Sequence, residues 1–393
     1  MKKKFLDLGT QPITNAFLSE DKFDDEYFYN LSIGMDEDTK LVSLMESVKP
    51  ELMFNDVYAH RASMSETMRN SFKVVAESIA KQFRPTNVLE IGSNDGVFIR
   101  NFSKESIVAI EPCENLANLT SEMGYKTYCN FWDVSTAQMM VDNHGEMDVI
   151  YSANTISHIE KIVEVFNAVD CSLSADGVFI FEDPSLYSVL KNASYDQFYD
   201  EHAHLFSVIG LVNLLNDCGL EIFKVDNLTT HGGSNRIYVK KKNNKSLSID
   251  NSVEHNIQKE SVYGMSDIFV YEQFADRVKE SKVQLVELLN RFKNDGKKII
   301  SYGATYKSAT IFNYCKIGVD LIDYIVDTTV NKQGKFSPGM HIPIISPEEG
   351  FDSSVDFAFL GAWNFTKEIM NKERSYLDRG GKFITHVPTV RLI

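Results

Sequence analysis

The sequence predicts an α/β protein with two parallel sheets and a small N-terminal lobe. Three observations lead to this prediction. Short apolar runs alternate with helical stretches from residue 87 to about residue 240, a polar tract at 240–251 interrupts them, and the alternation resumes at residue 297. Strands that alternate with helices form a parallel sheet whose two faces the helices cover. A chain of 393 residues also exceeds the usual size of one core, so more than one domain is expected.

The N-terminal lobe is assigned to residues 1–70, which lack strong periodicity. It ends in residues 55–67, a stretch rich in Tyr, His, Ser and Met. A helix is predicted next at 71–82, with Arg84-Pro85 as its boundary.

The first α/β domain is assigned to residues 71–245. Its predicted strands lie at 87–91, 107–110, 147–151, 177–182, 220–225 and 235–240. A helix is predicted at 207–218, where Gly219 ends it. We also expect residues 97–102 to start a helix directly after the first strand.

The second α/β domain is assigned to residues 246–393. The polar tract at 240–251 predicts a linker, and a long amphipathic helix is predicted at 262–292. Strands are predicted at 297–303, 322–326, 355–360 and 382–386, with a helix at 304–314 after the first of them.

Composition excludes several classes of partner. The chain has 40 Lys and Arg against 55 Asp and Glu, a net charge of −15, which argues against nucleic-acid binding. No apolar run approaches the ~20 residues of a membrane span, and the start lacks a sustained apolar signal region, so we expect a cytoplasmic protein without membrane contact. Five scattered cysteines without a C-x-x-C pair predict neither a disulfide framework nor a cysteine zinc site.

The most informative motif is the turn after the first strand of the first α/β domain. The strand carries Glu90 and opens into Gly92-Ser93-Asn94-Asp95-Gly96. Glycines let the main chain approach a ligand closely. The next apolar run ends in Glu111, which suits the two hydroxyls of a ribose.

The same turn discriminates between nucleotide-like ligands. A pyrophosphate requires G-x-G-x-x-G, whereas Asp95 would repel a diphosphate. A cation without phosphates fits better, and S-adenosylmethionine is such a cofactor. An ordinary turn with chance acids is the alternative. The predicted cofactor-binding residues are Glu90, Gly92, Asn94, Asp95, Gly96, Glu111, Pro112, Trp132 and Asn154.

The candidate catalytic residues cluster after the strand predicted at 177–182. A histidine is the natural base for methyl transfer because its neutral form accepts a proton at physiological pH. His202 follows Tyr199 and Glu201 closely, which offers a base, a phenol and an orienting carboxylate. His158, after the strand at 147–151, is a further candidate. A polar loop that caps a helix is the structural alternative.

Candidate substrate-binding residues lie in several further motifs. Arg236 ends the segment HGGSNR, which is equally suited to a plain hairpin turn, and Lys307 follows a strand and a turn where a helix begins. A helix N-terminus with a lysine suits a diphosphate. The remaining candidates are Tyr58, Tyr302, Lys335, Trp363 and Asn364.

Together these motifs resemble those of the sugar C-methyltransferases of deoxysugar pathways, which methylate carbon 3 of a nucleotide-linked 4-keto sugar. The resemblance covers nearly the whole chain. It rests on DLGTQP at 7–12, EIGSNDG at 90–96, YDEH at 199–202, HGGSNR at 231–236, YGATYK at 302–307, KQG at 332–334, SPG at 337–339 and AWN at 362–364. The resemblance implies a Rossmann-like domain that binds S-adenosylmethionine, a second Rossmann-like domain that helps hold the nucleotide sugar, and a reacting centre at His202 with Tyr199 and Glu201.

The sequence departs from the family at two places. The family's N-terminal lobe normally has four cysteines for a structural zinc, whereas this chain has none before Cys113, so we predict a lobe without zinc and no metal. The family also tends to have two tyrosines separated by one residue where this chain has Tyr58-Ala59-His60. His60 is therefore a further candidate base.

This second departure leaves the acceptor atom open between oxygen and carbon. Carbon methylation requires removal of a proton beside a ketone and stabilisation of the enolate, whereas oxygen methylation needs a base near a hydroxyl. Hexose and heptose acceptors, and a monomer or a homodimer, stay open as well. The rival hypotheses are an NAD-dependent nucleotide-sugar dehydrogenase or epimerase, which lacks support because neither turn has G-x-G-x-x-G, and a non-catalytic binding protein.

Overall fold

The computed structural model describes residues 1–56 and 58–393, and these form an α/β protein with three sheets. The two predicted α/β domains each have a mainly parallel sheet, which confirms the predicted fold class. The third sheet belongs to the N-terminal lobe. No helix among the described residues is both long and apolar enough to cross a lipid bilayer.

The N-terminal lobe is a four-stranded antiparallel sheet, which the sequence did not predict. Its strands, in sheet order, are Lys2–Pro12, Phe28–Asp36, Val42–Leu44 and His204–Leu205. The first strand has two irregularities in its register, which disrupt the alternation of apolar and polar residues. The last strand comes from the middle of the chain, so residues far beyond 70 complete the lobe.

The central sheet has seven strands and contains every strand predicted for the first α/β domain. In sheet order they are Leu220–Leu228, Ser234–Lys241, Leu173–Pro184, Met147–Ala153, Val88–Ile91, Ile107–Ile110 and Lys126–Tyr128. The strand Ser234–Lys241 is antiparallel to both neighbours, and the other pairs are parallel.

Seven helices lie among the strands of the lobe and the central domain. They are Pro50–Met53, Glu66–Phe83, Glu114–Glu122, Val134–His144, Ile162–Ser172, Leu186–Asn192 and Val208–Asp217. The helix predicted at 71–82 begins earlier because the Ser65 hydroxyl caps it and accepts from the Met68 main-chain N–H. The prediction of a helix at 97–102 is wrong, because the segment forms one 3₁₀ turn, Ile99–Asn101.

The C-terminal domain follows two helices, Asn251–Tyr263 and Ile268–Asn294, where one long helix was predicted. Gly264 separates them at a φ of 88°, a conformation that ends the first helix. The strands, in sheet order, are Ile344–Ile345, Ile325–Val326, Ile299–Tyr302, Phe357–Leu360, Lys382–Thr385 and Arg391–Leu392. The helices are Tyr306–Cys315, Pro347–Gly350, Thr366–Lys372 and Arg374–Asp378.

The lobe packs directly on the C-terminal domain. One continuous apolar cluster contains Leu31 of the lobe, Tyr271 of the long helix and Ile299 of the C-terminal sheet, all buried. Glu26 adds a polar contact between the lobe and the C-terminal domain. Its carboxylate accepts a hydrogen bond from the Gly339 main-chain N–H at 2.7 Å and lies 2.8 Å from Nε2 of His341. The lobe is therefore part of one assembly with both α/β domains.

Glu260 generates a prediction about stability. Its buried carboxylate accepts from the main-chain N–H groups of Val208 and Ile209, each at 2.9 Å, and so caps the helix Val208–Asp217. Glu260→Ala removes both acceptors and leaves buried donors unpaired, which costs about 1–3 kcal/mol. We expect a lower denaturant midpoint in urea titrations followed by circular dichroism. Glu272→Ala on the exposed face of the long helix is the control, and equal midpoints for the two variants would contradict the assignment.

Candidate active site

A cavity of about 570 Å³ lies where the lobe and the two α/β domains meet. Residues from all three parts form its wall. Most of the predicted site residues are among them, namely Tyr58, His60, Glu90, Gly92, Asn94, Glu111, Pro112, Trp132, Asn154, His158, Tyr199, Glu201, His202, Lys307 and Asn364. The structure thus brings the predicted cofactor, catalytic and substrate residues around one space.

The glycine turn leaves room for a ligand at the head of the central sheet. Gly92 has a φ of 75°, and a Cβ on it would lie 2.3 Å from the Thr155 hydroxyl, so only glycine fits. Asn94 also adopts a left-handed conformation, with a φ of 50°. Its main-chain N–H donates to the Glu111 carboxylate at 2.7 Å, which fixes the turn against the end of the next strand.

Two acids face this part of the cavity. Burial raises the pKa of Glu90 well above its usual value, and the nearby Glu111 raises it further. Burial also raises the pKa of Glu111. One oxygen of Glu90 is buried without a hydrogen-bond partner among the described residues, as is Nε1 of Trp132. These unpaired groups fit a cationic cofactor with a polar base, and they fit S-adenosylmethionine.

Asp95 and Gly96 belong to the same turn but do not line the cavity. The Asp95 carboxylate accepts from the main-chain N–H of Ser63 at 3.2 Å and from its hydroxyl. Asp95 therefore holds residues 62–64 of the lobe against the turn. The charge near the cofactor comes from Glu90 and Glu111 instead.

His202 has the geometry of a general base. Its Nδ1 lies 2.6 Å from the main-chain oxygen of Gln197. Because a carbonyl oxygen only accepts, Nδ1 carries the proton and the lone pair of the neutral ring is on Nε2. Burial lowers the pKa of His202 well below its usual value, so the ring is neutral at physiological pH. The predicted orienting role of Glu201 is wrong, because the Gln197 carbonyl takes that place.

Glu201 is held by the lobe. Asn15 donates its side-chain N–H to one carboxylate oxygen at 2.6 Å, and the Tyr58 hydroxyl donates to the other at 3.1 Å. Burial raises the pKa of Glu201, and the adjacent Asp200 raises it further. Asp200 itself accepts from the main-chain N–H and the hydroxyl of Thr14, at 3.1 and 2.6 Å.

Aromatic rings surround the base. The rings of Tyr199 and His158 lie 4.3 and 5.3 Å from that of His202, and Tyr199 stacks on Tyr306 at 4.1 Å. Burial raises the pKa of Tyr199 well above its usual value, so its phenol stays protonated. Burial lowers the pKa of His158 to about 3 and that of His60 to about 4, so both rings are neutral.

Two lysines of the C-terminal domain also line the cavity. Lys307 lies in the first turn of the helix Tyr306–Cys315, and its ammonium contacts the Tyr306 hydroxyl. Burial lowers the pKa of Lys307 to about 8. Lys332 donates to the main-chain oxygen of Ala304 at 2.7 Å. Both are close enough to His60 to lower its pKa. The part of the cavity near Lys307 and Lys332 therefore suits an anion.

Four predicted substrate-binding residues lie outside the cavity wall. Arg236 donates to Glu182 at 2.8 Å, opposite it on the neighbouring strand. The Tyr302 hydroxyl donates to Glu373 at 2.6 Å, and Trp363 donates through Nε1 to Asp196 at 2.5 Å. Lys335 is exposed. The first three donate hydrogen bonds to acidic side chains within the protein instead.

Sequence reasoning did not single out Asn15, Gln197, His231 and Lys332, which contact or line the site. Gln197 contacts His202 through its main-chain oxygen, and the identity of a residue does not indicate what its main chain binds. Asn15 is 186 residues from its partner, so sequence spacing does not connect them. His231 and Lys332 lie in the motifs HGGSNR and KQG, and these motifs were the available signal.

Comparisons with known families agree with this geometry. Residues 58–225 match the family described as a methyltransferase domain, and residues 229–388 match a C-methyltransferase C-terminal domain. The glycine turn and the acids facing the cavity lie inside the first match. The middle and C-terminal parts of the chain are thus similar to methyltransferases, and the fold and the site agree with a methyltransferase that uses S-adenosylmethionine.

A curated relative aligns over almost the full length. The C-methyltransferase NovU of Streptomyces niveus is 29% identical over 391 residues, which are 98% of this chain and 93% of that protein. Solved structures align with less of the chain. An S-adenosylmethionine-dependent methyltransferase from Clostridium acetobutylicum is 15% identical, covers 44% of this chain and 92% of its own, and has a TM-score of 0.36. Magnesium protoporphyrin IX methyltransferase from Synechocystis PCC 6803 is 10% identical, with coverages of 44% and 79% and a TM-score of 0.34.

The lobe also matches a family, which corrects one expectation. Residues 1–54 match the family described as "Putative zinc binding domain", although they contain no cysteine. The match shows that the lobe is similar to that family despite the missing cysteines, whereas the absence of cysteines itself stands. Within residues 1–56 and 58–393, no three His, Cys, Asp or Glu side chains are grouped to hold a metal ion. That the lobe has no zinc stays a prediction.

Glu90 generates a prediction about cofactor binding. Burial raises the pKa of Glu90, and a bound cation lowers it again by favouring the ionised form, so cofactor binding should release protons in the pH range between these two pKa values. We expect calorimetric titrations of S-adenosylmethionine in buffers of different ionisation enthalpy to show this release. Glu90→Gln abolishes it and weakens binding about tenfold or more, as expected when a charged partner is lost. The control is the exposed Glu105→Gln, and unchanged proton release in Glu90→Gln would refute the assignment.

Proposed function

We propose that the enzyme methylates a nucleotide-linked hexose or heptose at the carbon beside a keto group. The observation that carries the proposal is that the neutral His202 lies in the wall of one cavity together with the acids Glu90 and Glu111 and with Lys307 and Lys332. A long ligand with a neutral sugar and an anionic end matches this arrangement. The motif resemblance to sugar C-methyltransferases supports the same substrate class.

Lys307 and Lys332 support a diphosphate at the anionic end. Lys307 follows the N-cap Thr305 of a ten-residue helix, where main-chain N–H groups and the helix dipole favour anions. Both lysines are largely buried, so a diphosphate there would meet little competition from water.

The residues around His202 support proton removal. Bound S-adenosylmethionine supplies an electrophilic methyl group on a positively charged sulfur. His202 accepts the substrate proton at Nε2, and the Gln197 carbonyl, which already accepts a hydrogen bond from Nδ1–H, stabilises the imidazolium that results. The Tyr199 phenol, Glu201 and the enclosing lobe then orient the sugar and keep water away.

Carbon is favoured as the acceptor because the curated relative is a C-methyltransferase and residues 229–388 match a C-methyltransferase domain. Oxygen is the second candidate. It is supported by His60, which lines the cavity where the family tends to have a tyrosine, and whose low pKa of about 4 keeps it neutral. A neutral imidazole near a hydroxyl is what oxygen methylation requires.

An exchange experiment separates the two acceptors. Incubation of the enzyme with a panel of nucleotide-linked keto sugars in D₂O, without methyl donor, should exchange the hydrogen beside the carbonyl, as followed by NMR. Methyl transfer from labelled cofactor without such exchange would support oxygen. An absence of methyl transfer to every nucleotide sugar would refute the proposed substrate class.

His202→Ala should lower both exchange and kcat by about 100-fold or more, the usual contribution of a general base. His144→Ala is the control, because His144 lies outside the cavity wall and bonds to Tyr128. Because the pKa of His202 lies well below 6.5, the wild-type rate should not fall as the pH is lowered from 7.5 to about 6 through protonation of this base. Full activity of His202→Ala would rule it out as the base.

Lys307→Gln and Lys332→Gln should raise KM for the nucleotide sugar about tenfold or more each, because each removes a charge-assisted contact to the diphosphate. The dissociation constant of S-adenosylmethionine should stay unchanged. The exposed Lys335→Gln is the matched control and should leave both constants unaltered. A larger effect of Lys335→Gln than of the two buried variants would contradict this placement of the anion.

A further inference from the structure

His231 has a strained main chain at the cavity wall. It lies in the turn Thr230–Gly232 with φ 54° and ψ 21°, a left-handed conformation that is unfavourable for a non-glycine residue. Glycine would adopt the same conformation without this cost, and glycines follow at 232 and 233. Strain at a cavity residue is typical of a functional side chain.

The imidazole of His231 lines the cavity and lacks a partner. Its Nε2 is buried and makes no hydrogen bond with any described residue. Burial, with Lys307 and His60, lowers the pKa of His231 to about 3, so the ring is neutral. A neutral imidazole has one N–H donor and one acceptor nitrogen, and an unpaired buried one is costly unless a ligand pairs with it.

The turn of His231 is joined to the base by a single residue. Gln197 donates its side-chain N–H to the His231 main-chain oxygen at 2.7 Å, and its own main-chain oxygen binds Nδ1 of His202 at 2.6 Å. The turn is also enclosed, since a Cβ on Gly232 would lie 2.2 Å from Trp363. The position of His231 relative to His202 is therefore fixed.

The two histidines have different surroundings. The Gln197 carbonyl stabilises a positive charge on His202 after it takes a proton, and this contact raises its pKa against the effect of burial. Lys307 opposes a positive charge on both rings, and among the described residues His231 has no carbonyl contact that raises its pKa in return. His231 is thus a poor base, whereas its N–H remains available to an oxygen that becomes negative.

We propose that His231 is a catalytic residue that donates a hydrogen bond to the sugar carbonyl oxygen as that oxygen becomes an enolate. In this step the C–H bond beside the carbonyl breaks, the proton moves to Nε2 of His202, and the electron pair of that bond shifts toward the carbonyl oxygen. Neutral imidazoles with lowered pKa values stabilise such oxygens in other enzymes. The inference rests on the proposed carbon methylation.

The test uses two variants of the full chain. His231→Gly removes the imidazole and also relieves the main-chain strain, so a loss of activity is due to the side chain. We expect kcat and the rate of hydrogen exchange in D₂O to fall together by about 100-fold or more, as for other oxyanion donors. Added imidazole should restore part of both rates, and His231→Asn, whose amide donates and whose main chain tolerates this conformation, should retain more activity than His231→Gly.

Binding of S-adenosylmethionine, measured by calorimetry, should be unchanged in both variants and shows that they are folded. Exchange and kcat within threefold of wild type in His231→Gly would overturn the inference and leave the proposed function intact. A change in KM for the sugar alone would also overturn it, because binding without stabilisation of the enolate is then the role. Wild-type enzyme that methylates without exchange, or methylates no nucleotide sugar, would overturn the proposed carbon methylation and the inference together.

Discussion

The structure depends on one constraint, which is that the segment from residue 195 to residue 206 is held by all three parts of the chain. The C-terminal domain holds it through the bond from Trp363 to Asp196. The lobe holds it through Thr14 and Asn15, which bond to Asp200 and Glu201. The central domain holds its end, where Phe206 pairs with Ser185. Since His202 lies within this segment, the position of the base is fixed only when the three parts are together.

Burial sets the protonation states in the cavity. In a site of low polarity, charged forms are disfavoured, so the acids tend to keep protons and the histidines tend to lose them. Glu90 and His202 show the two directions of this effect. A cationic cofactor can therefore change the protonation of the acids. His202, the proposed base, is neutral at physiological pH without a carboxylate partner.

Much of the fold and part of the site were predictable from the sequence. The strands of both α/β domains are apolar runs bounded by residues that favour turns. Glu111 ends the apolar run that follows the glycine turn, so its place could be predicted from the spacing. The sequence did not reveal which side chains bond to each other across neighbouring strands. Arg236 looked available in the sequence, but Glu182 lies opposite it on the neighbouring strand. The same holds for His202, because its partner is a main-chain oxygen, and a main-chain oxygen is present at every residue.

The strand His204–Leu205 bears on the order in which the protein folds. It pairs with Val42 and Ser43, so the sheet of the lobe stays incomplete until more than two hundred residues have been synthesised. Pairing over such a separation is slow because a large loop must close first. During synthesis the strand Val42–Leu44 of the nascent lobe therefore has one unpaired edge until residues 204 and 205 are available. The segment that completes this edge also contains His202, so the last strand of the lobe and the proposed base are synthesised together.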